Sequence, residues 1–200
     1  MTKVKLCGLR SLNDVQSVLR VKSDYAGFIL SSGFKRSIDI DTFKEMSDLL
    51  YNSGIMRVGV FVNEPINNIE DKYLSKIDLV QLHGDEDEEY ISTLKRIANK
   101  PVIKAFTIKS ESDIKKACLS SADYILLDSG TGTGTKFDHS LIKGLNRPFF
   151  LAGGLTPDNV GEAICCFKPF AVDASSSLET DGIKDETKMA AFVNAVRQKG

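Results

Sequence analysis

Short apolar, β-rich runs alternate with amphipathic helical windows from one end of this chain to the other, and that alternation admits very few folds. The runs fall near residues 3–7, 25–30, 56–62, 78–82, 101–106, 123–127, 148–152 and 169–173. The helical patterns fall near 11–22, 40–52, 65–74, 86–99, 110–119, 138–144, 156–166 and 185–197. Eight repeats of strand then helix imply parallel strands joined by right-handed crossovers, in either a closed barrel or an open doubly wound sheet. An open sheet of the dinucleotide-binding kind places G-x-G-x-x-G after its first strand. Here Cys7-Gly8 follows that strand, and the glycine-rich turns come late. The pattern therefore predicts an α/β fold, a single (β/α)8 TIM barrel, at the compact end of that fold's size range. No Pro/Gly/Ser-rich linker divides the chain, so residues 1–200 are read as one catalytic barrel domain.

Local signals support the helices. Ser11 with Asp14, and Ser110 with Asp113, read as amino-terminal caps; Thr156 followed by Pro157 and Asp158 reads as the start of the seventh helix. The acidic run at 85–89 reads as a charged first helical turn, favourable at the positive end of the helix dipole.

Composition excludes several classes of function. A net charge of −1 with both signs interspersed, and no basic stripe with aromatics, argues against nucleic acid and acidic membranes as partners. No apolar run approaches the roughly 20 residues that cross a bilayer, and the amino terminus lacks the apolar core of a signal peptide. Cys7, Cys118, Cys165 and Cys166 have no zinc spacing and include an adjacent pair that cannot easily bridge, so they read as reduced thiols of a cytoplasmic protein.

In such a barrel the carboxyl ends of all strands open on one face, where residues distant in sequence become neighbours. That face collects Cys7, the loop from Ser31 to Arg36, Asn63, Gln81, His83, Thr107, Asp128, Gly153-Gly154 and Ser175 to Ser177. The set offers an acid, a thiol base, a cation and an anion cradle. It contains no His/carboxylate cluster suited to a metal, so chemistry without metal or cofactor is the simplest reading. The cradle is the strongest generic signal. Gly153 and Gly154 after strand seven let backbone N–H groups approach a ligand, and Ser175 and Ser176 after strand eight offer hydroxyls and amides. Loops in these two positions hold phosphate monoesters in such barrels, which points to a phosphorylated small-molecule substrate. Asp128 ends an apolar strand, YILLD, at the mouth. Taken alone it also fits a helix cap or a partner for Lys136, as Cys7 alone fits a small buried hydrophobe. Lys5 shares strand parity with Cys7 and is expected beneath it; whether its charge or the anionic substrate governs the thiol's pKa stays open.

The segments KLCGL (5–9), GFILSSGFKRSI (27–38), RVGVFVNEP (57–65), VQLHGDE (80–86), LLDSGTGTGTKFD (126–138), FLAGGLTPDNV (150–160) and FAVDASSSLE (170–179) together resemble the phosphoribosylanthranilate isomerase family. The resemblance runs in order from the first strand to the eighth. It implies a ribulose-phosphate-binding barrel that performs a cofactor-independent Amadori rearrangement of N-(5-phosphoribosyl)anthranilate to 1-(2-carboxyphenylamino)-1-deoxyribulose 5-phosphate in tryptophan biosynthesis. It also implies Cys7 as general base, Asp128 as general acid, and Arg36 as the holder of the anthranilate carboxylate. Gln81 and His83 would shape the site, and Gly153, Gly154, Ser175 and Ser176 would bind phosphate. Two positions depart from the family pattern. Ser177 stands where glycine is common, and serine resists positive φ; His139 stands where tryptophan is common. A sibling lyase such as indole-3-glycerol-phosphate synthase would call for additional catalytic lysines and glutamates at strand ends and usually a longer amino-terminal segment, and the early start of the first strand argues against it. Retention of both Cys7 and Asp128 argues against a non-catalytic sugar-phosphate-binding protein. Monomer and homodimer are equally compatible with the sequence.

Overall fold

The computed structural model describes residues 1–128, 142 and 145–199. Eight parallel strands close into a barrel in chain order: β1 (Lys3–Cys7), β2 (Tyr25–Ile29), β3 (Met56–Phe61), β4 (Leu79–Leu82), β5 (Val102–Thr107), β6 (Tyr124–Asp128), β7 (Phe149–Ala152) and β8 (Ala171–Ala174). The seam joins β1 to β8 with Lys3 opposite Ala171 and Lys5 opposite Asp173. Around it lie α1 (Leu12–Val21), α2 (Ile40–Leu49), α3 (Ile66–Lys72), α4 (Glu88–Ala98), α5 (Glu111–Leu119), α6 (Val160–Phe167) and α7 (Glu186–Arg197). The helix expected near 138–144, with Lys136 and His139, lies outside the described residues. Every predicted strand is present, with ends shifted by no more than about two residues.

The core has two layers, as strand alternation requires. One face of each strand packs on the helices: Phe28, Phe43, Tyr73 and Phe61 form a chain of edge-on or tilted rings with centroids 5.4 to 5.8 Å apart. The other face fills the barrel with Val58, Leu79, Ile103, Leu126, Phe150 and Ala171.

Three local readings need correction. Ser110 precedes α5, but its hydroxyl donates to Asp113 Oδ2 at 2.8 Å and caps no backbone N–H; the Asp113 carboxylate reaches back to accept from the Lys109 N–H at 3.0 Å. Thr156-Pro157 does not open α6. Residues 157–159 form a turn, the helix begins at Val160, and Asn159 Oδ1 accepts instead from the Thr156 N–H at 2.8 Å. Only part of the acidic run forms a helical turn: Asp87 caps α4 and Glu88 and Glu89 occupy its first turn, whereas Glu86 turns inward. Its carboxylate pairs with buried Lys104 at 2.8 Å and accepts from the Asn63 and Gly84 N–H groups at 2.7 and 3.0 Å. That buried pair fixes the loops after β3 and β4.

Beyond β8 the chain makes a short 3-10 turn over Ser176–Leu178 and then a two-stranded antiparallel hairpin, β9 (Glu179–Thr180) with β10 (Ile183–Lys184). Asp181 and Gly182 both have positive φ (50° and 77°), the backbone a two-residue Asp-Gly hairpin turn demands.

Candidate active site

A cavity of about 380 Å³ opens at the carboxyl ends of the strands. Cys7, Gln81, His83, Asp128, Gly153, Gly154, Ser175 and Ser176 all line it. Residues from five strand ends thus meet at one mouth, as the parity of an eight-stranded barrel dictates. Ile29, Phe34, Val60 and Val62 give one part of the wall an apolar surface, and the glycines and serines after β7 and β8 give another a polar one.

Cys7 ends β1 and is 7% exposed. Its position is set by β2: the Gly8 and Leu9 N–H groups both donate to the Gly27 carbonyl at 2.9 and 3.1 Å. Gly27 has to be glycine for a steric reason, since a Cβ there would lie 2.7 Å from Cys7 Sγ. The neighbouring strand is notched to seat the thiol. Lys5 lies beneath, fully buried, with Nζ 2.9 Å from Asp173 Oδ1 across the β1–β8 seam. Burial works against the Lys5 charge, but Asp173 and Cys7 outweigh it and raise the lysine's pKa, so it remains an ammonium. For Cys7 the balance falls the other way. Burial pushes the thiol above its ordinary value, Asp173 adds to the rise, and the Lys5 and Lys184 charges offset only part of it. Desolvation therefore outweighs the Lys5 charge at this thiol. Burial likewise raises Asp173 against the pull of Lys5.

Asp128 ends β6 and is half-buried on the cavity wall. His83 presents its exposed surface to the same cavity and stands 3.1 Å through Nδ1 from Gln81 Nε2. Burial lowers the His83 pKa, and Asp128 and Asp173 pull it back only in part, which favours the uncharged ring. A neutral imidazole shapes and hydrogen-bonds; it does not add a cation to the site.

The cradle has the backbone expected of it. Gly153 and Gly154 take φ of 91° and 66°, a conformation that side chains resist. Ser175 donates its hydroxyl to the Cys7 carbonyl at 3.0 Å, joining the loop after β8 to the end of β1. Ser177 lies within the 3-10 turn, outside the positive-φ residues, so replacing the usual glycine costs no backbone strain there; its hydroxyl donates to the Leu155 carbonyl at 2.5 Å.

Arg36 is not among the cavity-lining residues. Its stem passes over Gly8, where a Cβ would meet Arg36 Cδ at 2.7 Å, and its Nε and Nη2 donate to Glu179 Oε1 and Oε2 at 2.6 and 2.9 Å. Sequence reasoning missed Glu179, Lys184 and Asp173. The Asp-Gly turn at 181–182 signals the hairpin that carries the first two, and Asp173 stands at inward parity in an otherwise apolar strand.

Fold and mouth together define a (β/α)8-barrel enzyme. Residues 4–195 match the family model of N-(5'-phosphoribosyl)anthranilate (PRA) isomerase. The chain is 45% identical to the N-(5'-phosphoribosyl)anthranilate isomerase of Endomicrobium trichonymphae, over 98% of its own length and 99% of the relative's. Its structure is similar to that of phosphoribosyl anthranilate isomerase from Thermotoga maritima, with a TM-score of 0.91, 35% identity, and coverage of 99% and 100%. It is also similar to a phosphoribosyl anthranilate isomerase crystallised in complex with reduced 1-(O-carboxyphenylamino)-1-deoxyribulose 5-phosphate, with a TM-score of 0.88, 35% identity, and the same coverage. The chain belongs to the N-(5'-phosphoribosyl)anthranilate isomerase family, whose members are aldose–ketose isomerases of tryptophan biosynthesis.

Proposed function

We propose that this chain isomerises N-(5-phosphoribosyl)anthranilate to 1-(2-carboxyphenylamino)-1-deoxyribulose 5-phosphate, with Asp128 as general acid and Cys7 as general base. The observation that carries the role assignment is that these two side chains, from strands three positions apart around the barrel, line one cavity with the glycine-serine cradle.

Asp128 donates a proton to the furanose ring oxygen, the C1–O bond breaks, and the nitrogen lone pair closes a Schiff base. The Cys7 thiolate removes the C2 proton, and the C–H electron pair becomes the C1=C2 bond of an enolamine as the iminium is neutralised. Proton return to C1 and loss of the enol proton give the ketose, so atoms and electrons balance within the substrate and the two residues. A thiol whose pKa is raised by burial is sparsely ionised but strongly basic when it is, and Lys5 beneath it stabilises the ionised form. The phosphate sits at Gly153, Gly154, Ser175 and Ser176; Gln81 and His83 pack and hydrogen-bond the sugar. Arg36 holds the ring carboxylate through its Nη1 edge, which makes no hydrogen bond among the described residues.

The whole chain is read as one catalytic domain acting on a phosphorylated small molecule in the cytoplasm, as monomer or homodimer. The four cysteines are free, which fits a reducing compartment. The test follows the fluorescence of freshly prepared N-(5-phosphoribosyl)anthranilate with wild type, Cys7→Ala and Asp128→Asn, in EDTA without added metal. Rapid decay with wild type alone, yielding the ketose, is expected. Folded wild type that binds inorganic phosphate but gives no turnover would overturn the reading.

A further inference from the structure

A guanidinium that recognises a carboxylate has to be held in one orientation, and the structure supplies the holder from outside the barrel. The β9–β10 hairpin places Glu179 directly opposite Lys184. Glu179, with a side chain 6% exposed, accepts from Arg36 through both oxygens, which occupies the Nε/Nη2 edge and leaves the Nη1 edge for another ligand. Lys184, with a side chain 1% exposed, donates to Glu179 Oε1 at 3.0 Å and to the Ser175 carbonyl at 2.8 Å. Ser175 in turn bonds the Cys7 carbonyl at 3.0 Å. Arg10 pins the turn by donating to the Gly182 carbonyl. Arg36, Glu179, Lys184, Ser175 and Cys7 are thus linked by hydrogen bonds that run from the guanidinium to the Cys7 backbone carbonyl.

We infer that Glu179 is a positioning residue that fixes Arg36 for recognition of the substrate's ring carboxylate, and that Lys184 couples this carboxylate subsite to the phosphate cradle. The inference rests on the reading of Arg36 given above. Glu179 does not compete with the substrate, because the two carboxylates use different edges of the guanidinium. Lys184 offsets the second negative charge that the substrate brings. Burial alone would raise the Glu179 pKa, but Arg36 and Lys184 hold it down to about 2, so the holder stays ionised throughout the range in which the enzyme would work.

The experiment is calorimetric titration with the reduced product 1-(2-carboxyphenylamino)-1-deoxyribulose 5-phosphate and with its phenylamino counterpart lacking the ring carboxylate, alongside inorganic phosphate. Wild type is expected to prefer the carboxylated ligand by about tenfold or more, the scale of a hydrogen bond to a charged group. Arg36→Ala should abolish that preference. Glu179→Gln should reduce it to within about threefold while phosphate binding stays at the wild-type level, a split that loss of fold would not produce. Lys184→Met should weaken phosphate binding and the preference together. If Glu179→Gln keeps the full preference, or loses phosphate binding in equal measure, the positioning role is overturned while the Arg36 reading stands. If wild type shows no preference, or Arg36→Ala retains it, the Arg36 reading falls and the positioning role with it. If Lys184→Met leaves both quantities unchanged, the coupling role is overturned.

Discussion

At the amino ends of its strands the barrel is plugged with rings, and at their carboxyl ends it buries charge. Tyr25, Tyr124, Phe150 and Phe170 fill the lower interior with centroids 5.0 to 5.8 Å apart, and Lys3 lies over Tyr25 and Phe170. Two residues higher on β1 and β8, Lys5 and Asp173 face each other with almost no solvent contact. Ring contacts are added in small increments and tolerate rearrangement; a buried ion pair fails as a unit when one partner is removed. The lower end is thus where the fold is stabilised, and the upper end is where stability is spent to set a thiol above a cation.

That contrast can be broken or sharpened by experiment. The largest expected effect is on chemistry alone: Cys7→Ala and Asp128→Asn should each lower turnover by about a hundredfold or more, with a denaturation midpoint close to wild type, read by initial rates and urea titration. Lys5→Met should lose about 3–5 kcal/mol of stability in the same titration, because Asp173 is left buried without its counter-charge. Its residual activity should also require higher pH, since the cation that holds the Cys7 pKa down is gone. Phe150→Ala at the plugged end should cost about 3–5 kcal/mol while turnover per folded molecule survives. Comparable loss of turnover in that variant would erase the distinction between the ends.

Smaller effects test the rim. Glu179 has a folded pKa of about 2 against an ordinary 4.5. Its folded-state pKa is depressed, so its contribution is full above about 4.5 and fades as the pH falls toward about 2. The stability difference between wild type and Glu179→Gln should shrink over that window and stay flat above it. Ser177→Gly should remove only the bond to the Leu155 carbonyl, costing about 1 kcal/mol with little change in phosphate affinity.

The elements that sequence could locate are those written in local periodicity. Strand alternation placed Lys5 under Cys7 and put Gln81, His83, Asp128 and both loop pairs at one mouth, because parity and barrel closure leave no other arrangement. What escaped depends on contacts between distant residues or on competition between nearby acceptors. Glu86 belongs by position to a helix start, yet Lys104 draws it inward. Asn159 rather than Thr156 precedes α6, because the Asn159 side chain folds back onto the Thr156 N–H and the Gly154 carbonyl and holds the intervening residues in a turn. Asp173 and Glu179 find their partners 168 and 143 residues away, beyond any local pattern.

The notch at Gly27 limits more than which residue may occupy β2. Oxidation of Cys7 to a sulfenic acid adds an oxygen that has no room on the Gly27 side, so the new atom must project into the cavity. Peroxide damage at this thiol would then take up the volume that the sugar needs, and an occupied site would shield the thiol. Inactivation by peroxide should accordingly slow when product is bound. The missing methyl group on one strand thereby ties the enzyme's oxidative lifetime to its substrate supply.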